Sequence, residues 1–354
     1  MSTWRLPPIF EVSSAILPHE LTDLIDWGQK LVGLPAAWKQ TRGEGIDVAV
    51  LDTGCDTSHP DLQGAIIGAR DFTDSRSGAE DAHGHGTHCA SVIGARADGR
   101  GIRGGASACQ LLIGKVLGDS GAGSDQSIVD GLEWAVDQGA DVISMSLGSP
   151  TESSTIRDAI RRATFEGCFV ICAAGNTGQA DSVYYPGKWT ETIAVSAVDE
   201  GGRIASYSSR GPEVDIAAPG SNVLGAAPGG GYVRMSGTSM ATPLVSAVVA
   251  LVLSRHKKLG SRSSTPITTI ADLREHLART SMDVGKPGKD EEYGYGLIQP
   301  GVLLSNEEGT DEPGTIELCG GLKLVLPADH AEAAVNLTKI FAALRSSAFV
   351  ERAK

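Results

Sequence analysis

Ile46-Asp47-Val48-Ala49-Val50-Leu51 runs straight into Asp52-Thr53-Gly54. The aliphatic run, broken only by Asp47, has the pattern of a strand buried on both faces. The next three residues set a carboxylate at the strand end and then a turn. Similar runs recur outward from this one. Gln110 to Leu117, Asp141 to Leu147, Cys168 to Ala173, Glu191 to Ala197 and Val214 to Ala217 read as further strands. Leu21 to Lys30, Leu34 to Gln40, Gly84 to Arg96, Thr155 to Glu166, Thr242 to His256 and Ile270 to Arg279 read as helices. So does Ser124 to Gln138, with Ile128, Leu132, Ala135 and Val136 on one face. Strands alternating with helices predict an α/β fold whose mainly parallel central sheet is covered by helices on both faces. Such sheets carry chemistry at the carboxyl ends of their strands. Asp52-Thr53-Gly54, Ser146-Leu147-Gly148 and Gly175-Asn176 all follow strands.

A chain of 354 residues with 41% hydrophobic residues can bury a large core without disulfide or metal staples. Its 45 glycines against 5% aromatics suit tight turns and close backbone approaches. The net charge of −13 and the lack of a basic stripe argue against nucleic acid as a partner. Residues 1–8, with Pro7 and Pro8, lack the apolar run of a signal peptide. Leu244 to Leu253 reads as too short to span a bilayer, so a cytoplasmic protein with no membrane partner is expected. Cys55, Cys89, Cys109, Cys168, Cys172 and Cys319 form no CxxC pair and read as buried free thiols. The expected domains are an N-terminal arm (1–18), a main domain (19–303) and a C-terminal extension (304–354). In the extension, Ser305 to Gly314 reads as an acidic linker. Ile316 to Leu326 reads as a hairpin turning at Gly320-Gly321, and a helix is expected from about Ala331 to Ser346.

Three windows set a reactive side chain beside small residues: Val50-Leu51-Asp52-Thr53-Gly54, His83-Gly84-His85-Gly86-Thr87-His88 and Gly237-Thr238-Ser239-Met240-Ala241-Thr242-Pro243. A hydroxyl is a weak nucleophile until a base takes its proton, and a buried carboxylate can orient that base. Ser239, His85 and Asp52 can fill these roles, and the Asn176 amide can donate to a developing oxyanion. Singly, each also reads as a cap, a turn or a structural residue. Zinc on His83, His85 and His88 is the weaker reading, because no His-Glu-x-x-His or matching Cys set accompanies them. A metal on Cys168-x3-Cys172 is weaker still, since strand alternation puts both on one apolar face.

Together these windows resemble the Asp, His and Ser motifs of the subtilisin-like serine proteases, in that family's chain order. The resemblance runs from about Trp27 to Pro300 and is strongest toward the bacterial intracellular subtilisins, above all over Val48 to Leu62. It implies a three-layer subtilisin-like fold and endopeptidic hydrolysis of protein or peptide substrates. Asn176 is then the oxyanion donor and Thr238 a supporting hydroxyl. A substrate backbone would add as a strand between Gly121-Ala122-Gly123 and Ser146-Leu147-Gly148. Ala173, Ala174 and Gly175 would wall the S1 pocket, with Tyr184 at its base shortening it.

The resemblance also implies structural Ca²⁺. One site would use the side chains of Asp23, Asp61 and Asp98 and the carbonyls of Arg96, Arg100 and Ile102. A weaker cation site would use Gly187, Trp189, Thr192, Glu213 and Asp215. Relatives carry an inhibitory N-terminal extension, and Arg5-Leu6-Pro7-Pro8-Ile9 is similar to its motif but has two adjacent prolines and no tyrosine. The arm is thus expected to cross the cleft in a non-cleavable pose. Leu244 stands where the family often has histidine. For the extension, dimerisation as a homodimer, capping the core, and neither role all stay open. The rival functions are a narrow-specificity processing protease and a non-catalytic peptide-binding pseudoprotease. A dinucleotide enzyme lacks its Gly-x-Gly-x-x-Gly here.

Overall fold

The computed structural model describes residues 4–8, 10–15, 22–259, 267–305, 315–318 and 322–325; for 10–15, 258, 259, 305, 315–318 and 322–325 only the backbone is described. Seven parallel strands form the central sheet in the order β10-β9-β8-β7-β3-β5-β4. They are β3 (Asp47–Asp52), β4 (Ile66–Asp71), β5 (Gln110–Lys115), β7 (Val142–Met145), β8 (Phe169–Ala173), β9 (Ile193–Val198) and β10 (Val214–Pro219). Side chains of β3 alternate between two cores. Val48 and Val50 join residues of α3 (His85–Gly94) and α6 (Thr238–Leu259). Ala49 and Leu51 join those of α4 (Asp125–Asp137) and α5 (Ser154–Phe165). The sheet is therefore helix-covered on both faces, and the α/β architecture read from the sequence stands.

Around it lie α1 (Trp27–Leu31), α2 (Leu34–Ala37), α7 (Ile270–Thr280) and α8 (Pro300–Ser305). β1 (Trp4–Arg5) pairs antiparallel with β6 (Ala122–Gly123). β2 (Phe10–Ala15) pairs with β12 (Gly231–Ser236), which also pairs with β11 (Val223–Ala227). In a separate compact unit, Asn306–Lys354, β13 (Thr315–Leu318) and β14 (Leu322–Val325) form an antiparallel hairpin. The expected turn residues Gly320-Gly321 and the expected helix from Ala331 to Ser346 lie outside the described residues, as does Cys319. The other five cysteines are buried free thiols.

Two helix starts differ from expectation by several residues. The helix expected over Leu21 to Lys30 shrinks to α1. Asp23 is left-handed at φ 48°, and Asp26 and Gln29 form a reciprocal cap that starts the helix. Leu24 instead bridges to Ile102. α6 begins at Thr238 rather than Thr242, so Ser239 lies inside its first turn. Thr238–Lys257 is also apolar enough over a long enough span to cross a bilayer, though 94% of that window is buried within the protein. It is the central core helix.

Candidate active site

β3 ends at Asp52, which is 1% exposed, and α3 opens on His85, which is fully buried. Asp52 Oδ1 and His85 Nδ1 are 2.7 Å apart, and the Thr53 N–H donates to the same oxygen. The close seating of α3 on β3 demands glycine at Gly86: a Cβ there would stand 2.1 Å from the Gly54 carbonyl oxygen. Buried Asp81 locks the junction. It accepts from the Thr53 hydroxyl (2.9 Å), the Gly84 and Thr87 N–H groups (2.8 Å each) and the Thr87 hydroxyl (2.7 Å). Thr53 in turn accepts from the Gly86 N–H. Burial presses the His85 imidazole's pKa down, but the charge and hydrogen bond of Asp52, joined by Cys89, outweigh it and hold it well above the usual range. One turn on, burial drives His88 down to about 4; its Nε2 meets the Val223 carbonyl at 3.0 Å.

Cys89 lies under the imidazole, with Sγ 3.9 Å from Nδ1 and 4.0 Å from Nε2. Among the described residues, Asp52, His85 and Cys89 form the one group of at least three potential metal-ligating side chains with ligand atoms within 4.8 Å of one another. Its thiol and imidazole are soft donors, unsuited to calcium.

Ser239 is fully buried on the first turn of α6. Its hydroxyl donates to the Ser146 carbonyl at 3.2 Å, and no hydrogen bond joins it to His85. Pro243, four residues on, has no N–H to give the Ser239 carbonyl. That oxygen accepts instead from Ser146 Oγ (3.0 Å) and Cys89 Sγ (3.5 Å), tying α6 to β7 and α3. Beyond β8, Gly175 turns at φ 110°. Thr238 donates to Asn176 Oδ1 from both N–H and hydroxyl, at 2.9 Å each. The Asn176 NH₂ is thereby aimed into the cleft.

The arm fills that cleft. Trp4 and Arg5 pair with Gly123 and Ala122. Arg5 exchanges both backbone bonds with Gly148, at 3.3 and 3.1 Å, and the Leu6 N–H reaches the Gly121 carbonyl at 3.2 Å. By strand alternation the next residue, Pro7, falls opposite Ser146. Yet Asn176 Nδ2 donates to the carbonyl of Pro8, at 2.8 Å. Gly121, Ala122, Gly123, Ser146, Leu147 and Gly148 thus line one strand-binding slot. Tyr184 sits half-buried against its end: a Cβ on Gly148 would meet Tyr184 Cβ at 3.0 Å, and one on Gly175 would meet Tyr184 Cγ at 3.2 Å. The Tyr184 N–H bonds the Ala174 carbonyl, next to Ala173.

The chain matches the model of the subtilase family over residues 43–296. It belongs to the subtilase family. It is 42% identical over 292 residues to the major intracellular serine protease of Bacillus subtilis (strain 168), covering 79% of this chain and 90% of that protein. It is 41% identical over 279 residues to an intracellular serine protease of Paenibacillus polymyxa, covering 77% of this chain and 84% of that one. Subtilisin Savinase of Lederbergia lenta is 41% identical over 275 residues, covering 77% of this chain and 96% of that one. This subtilase is thus a subtilisin-like serine endopeptidase, closely related to bacterial intracellular subtilisins.

The expected cation residues fall into two places. Asp61 is buried; Oδ2 accepts from the Ile102 N–H (2.8 Å) and Oδ1 from the Tyr232 hydroxyl (3.1 Å), and burial raises its pKa. Asp23 accepts from the Gly99 N–H at 2.8 Å, while Asp98 pairs with Arg100 at 2.6 Å. Among the described residues no donor reaches the carbonyls of Arg96, Arg100 or Ile102. Gly101 wraps so tightly that a Cβ would stand 2.2 Å from Asp61 Oδ2. Free carbonyls beside a buried carboxylate suit a hard cation. The weaker set is different. Arg274 lies among these residues, bonding Asp215 Oδ1 at 2.9 Å and the carbonyls of Thr190 (2.8 Å) and Thr192. Asp215 Oδ2 takes the Ala194 N–H, Glu213 faces Lys188 at 3.7 Å, the Trp189 carbonyl accepts from Thr192, and Gly187 abuts the Ala173 carbonyl. A built-in guanidinium already supplies the positive charge there.

Sequence reading missed the parts played by Asp81 and Cys89. Asp81 had a signal, a carboxylate four residues ahead of a helix start. Cys89 had none.

Proposed function

We propose that this subtilase cleaves proteins by acyl transfer from Ser239, and that its own N-terminal arm holds it inactive. Ser239 Oγ attacks the scissile carbonyl as His85 Nε2 takes the hydroxyl proton. Asp52 fixes the imidazole through Nδ1 and stabilises the cation that forms. The oxyanion gathers between Asn176 Nδ2 and the Ser239 N–H. His85 then protonates the leaving amine, and water taken up by the same base frees the acyl group. The observation that carries this is the 2.7 Å Asp52–His85 pair in one cleft with Ser239 and a Thr238-oriented Asn176.

Arm inhibition is supported by register. Pro7 occupies the place opposite Ser146 without an N–H to bond it. The oxyanion donor is spent on the next carbonyl, so the bond presented to Ser239 is out of step. Ca²⁺ is the proposed structural cofactor, held by Asp61, Asp23, Asp98 and the carbonyls of Arg96, Arg100 and Ile102. When bound it would neutralise a buried carboxylate and brace the loop after α3. The Tyr184 ring shortens S1, so small and medium P1 side chains are favoured over Phe or Tyr. Relatives named intracellular support work in the cytoplasm.

The test is peptide cleavage by the full-length chain, an arm deletion and Ser239→Ala, each with calcium and with chelator. Arm deletion should raise the rate and Ser239→Ala abolish it. A folded, calcium-loaded, arm-deleted protein that leaves peptides intact would sink the proposal.

A further inference from the structure

Trp4, the fourth residue of the sequence, is fully buried. It enters the apolar cluster that includes Leu117, Ile128 and Leu147. Its indole Nε1 donates to Asp125 Oδ1 at 2.9 Å. Asp125 is the first residue of α4, where a carboxylate also meets the positive helix end. Its other oxygen accepts from Ser153 Oγ at 2.6 Å, and Ser153, 6% exposed, also contacts Thr155 Oγ1 at 3.0 Å. The acceptor is thus held from behind and aimed at whatever side chain the slot receives opposite Gly123.

We propose that Asp125 is a specificity-determining residue that selects substrates with tryptophan, an aromatic ring bearing an N–H donor, at that position. This rests on the protease reading above and deepens it. In the extended register the position is P4: the residues bonding Gly148 and Gly121 follow as P3 and P2, and the residue opposite Ser146 is P1. A phenyl ring fills the same apolar walls but strips water from a carboxylate and returns no hydrogen bond. An acidic side chain adds like-charge repulsion. A site built around a hydrogen bond discriminates against analogues that lack the donor. Half-burial of Asp125 limits the penalty.

The experiment uses the full-length chain carrying Trp4→Ala, which empties the pocket. Fluorogenic peptides identical except for Trp, Phe or Glu at P4 are compared. kcat/KM for Trp should exceed that for Phe by about tenfold, with Glu lowest. Adding Asp125→Ala should bring the Trp:Phe ratio to about one, whereas Asp125→Asn, which keeps an acceptor oxygen, should retain most of the preference. The Asn variant also keeps the question answerable if the Ala variant fails to fold. Equal rates for Trp and Phe, or a preference that survives Asp125→Ala in a folded chain, overturn the proposal. Labelling of Ser239 by a fluorophosphonate separates the two failures. A chain that labels and cleaves without regard to P4 loses only this inference. A chain with its arm displaced that neither labels nor cleaves loses the protease reading beneath it.

Discussion

At the scale of single residues, the site is an arrangement of imbalances. His85 keeps a raised pKa only because Asp52 outweighs burial. In the proposed mechanism the base must be neutral to take the Ser239 proton, so kcat/KM should fall as pH drops through a limb above about 6.5. Asp52→Asn should move that limb to lower pH and reduce kcat by roughly 10⁴, read from pH profiles of an arm-displaced chain. Asn176→Ala should cost about 10²–10³ in kcat with KM little changed. His88 carries the opposite shift. Its folded pKa of about 4 lies below the ordinary value, so the unfolded chain binds the proton first. Stability is therefore whole above about pH 6.5 and lost toward pH 4, by about 3 kcal/mol at most. Urea midpoints across that range, against His88→Gln, measure it. Asp52, His85, Ser239 and Asn176 could be singled out because each sits in a distinctive run of neighbours. Asp125 and Cys89 were not: their roles exist only because other elements bring Trp4 and His85 against them.

Between elements, glycine sets the distances. α3 reaches β3 because Gly86 has no side chain to meet the Gly54 carbonyl. Gly86→Ala should cost roughly 3 kcal/mol or more and lower activity with stability, checked by thermal melts beside peptide assays. Strands and helices of the parallel core were legible because their apolar runs are unbroken or keep one period. β4, β11 and β12 were not. β4 is an edge strand whose residues are all half-buried or exposed, and its short apolar start, Ile66-Ile67, is cut by Gly68 and ends in Arg70-Asp71. β12 begins at exposed Gly231, and its partner β2 comes from the far end of the chain. The start of α6 was read four residues late because Thr238 and Ser239 resemble a cap, whereas their hydroxyls serve Asn176 and Ser146.

Across the whole molecule, the chain has one large body, Met1–Ser305, and a second unit, Asn306–Lys354. Truncation after Ser305 should leave peptide cleavage within about twofold, because residues 306–354 form a compact unit of their own. Removing calcium should lower the melting temperature by about 5 °C or more, and Asp61→Asn should erase that response. Chelation should act through Asp61 and leave the region of Asp215 untouched, since Arg274 is covalently part of the chain. Fold class was readable ahead of the structure; that the arm crosses the cleft was expected from its prolines and the family resemblance, whereas its register was not, because a two-residue strand leaves no periodicity to read. That pose has a kinetic corollary. In the proposed arm inhibition, inhibitor and enzyme are one polymer, so the blocking segment would sample the cleft at an effective concentration of order millimolar, whatever the dilution. A single cut between the arm and the body would release it to bulk solution, where the same peptide is far too dilute to return. Inhibition of the intact chain should be independent of protein concentration, and its relief by nicking should be irreversible on dilution.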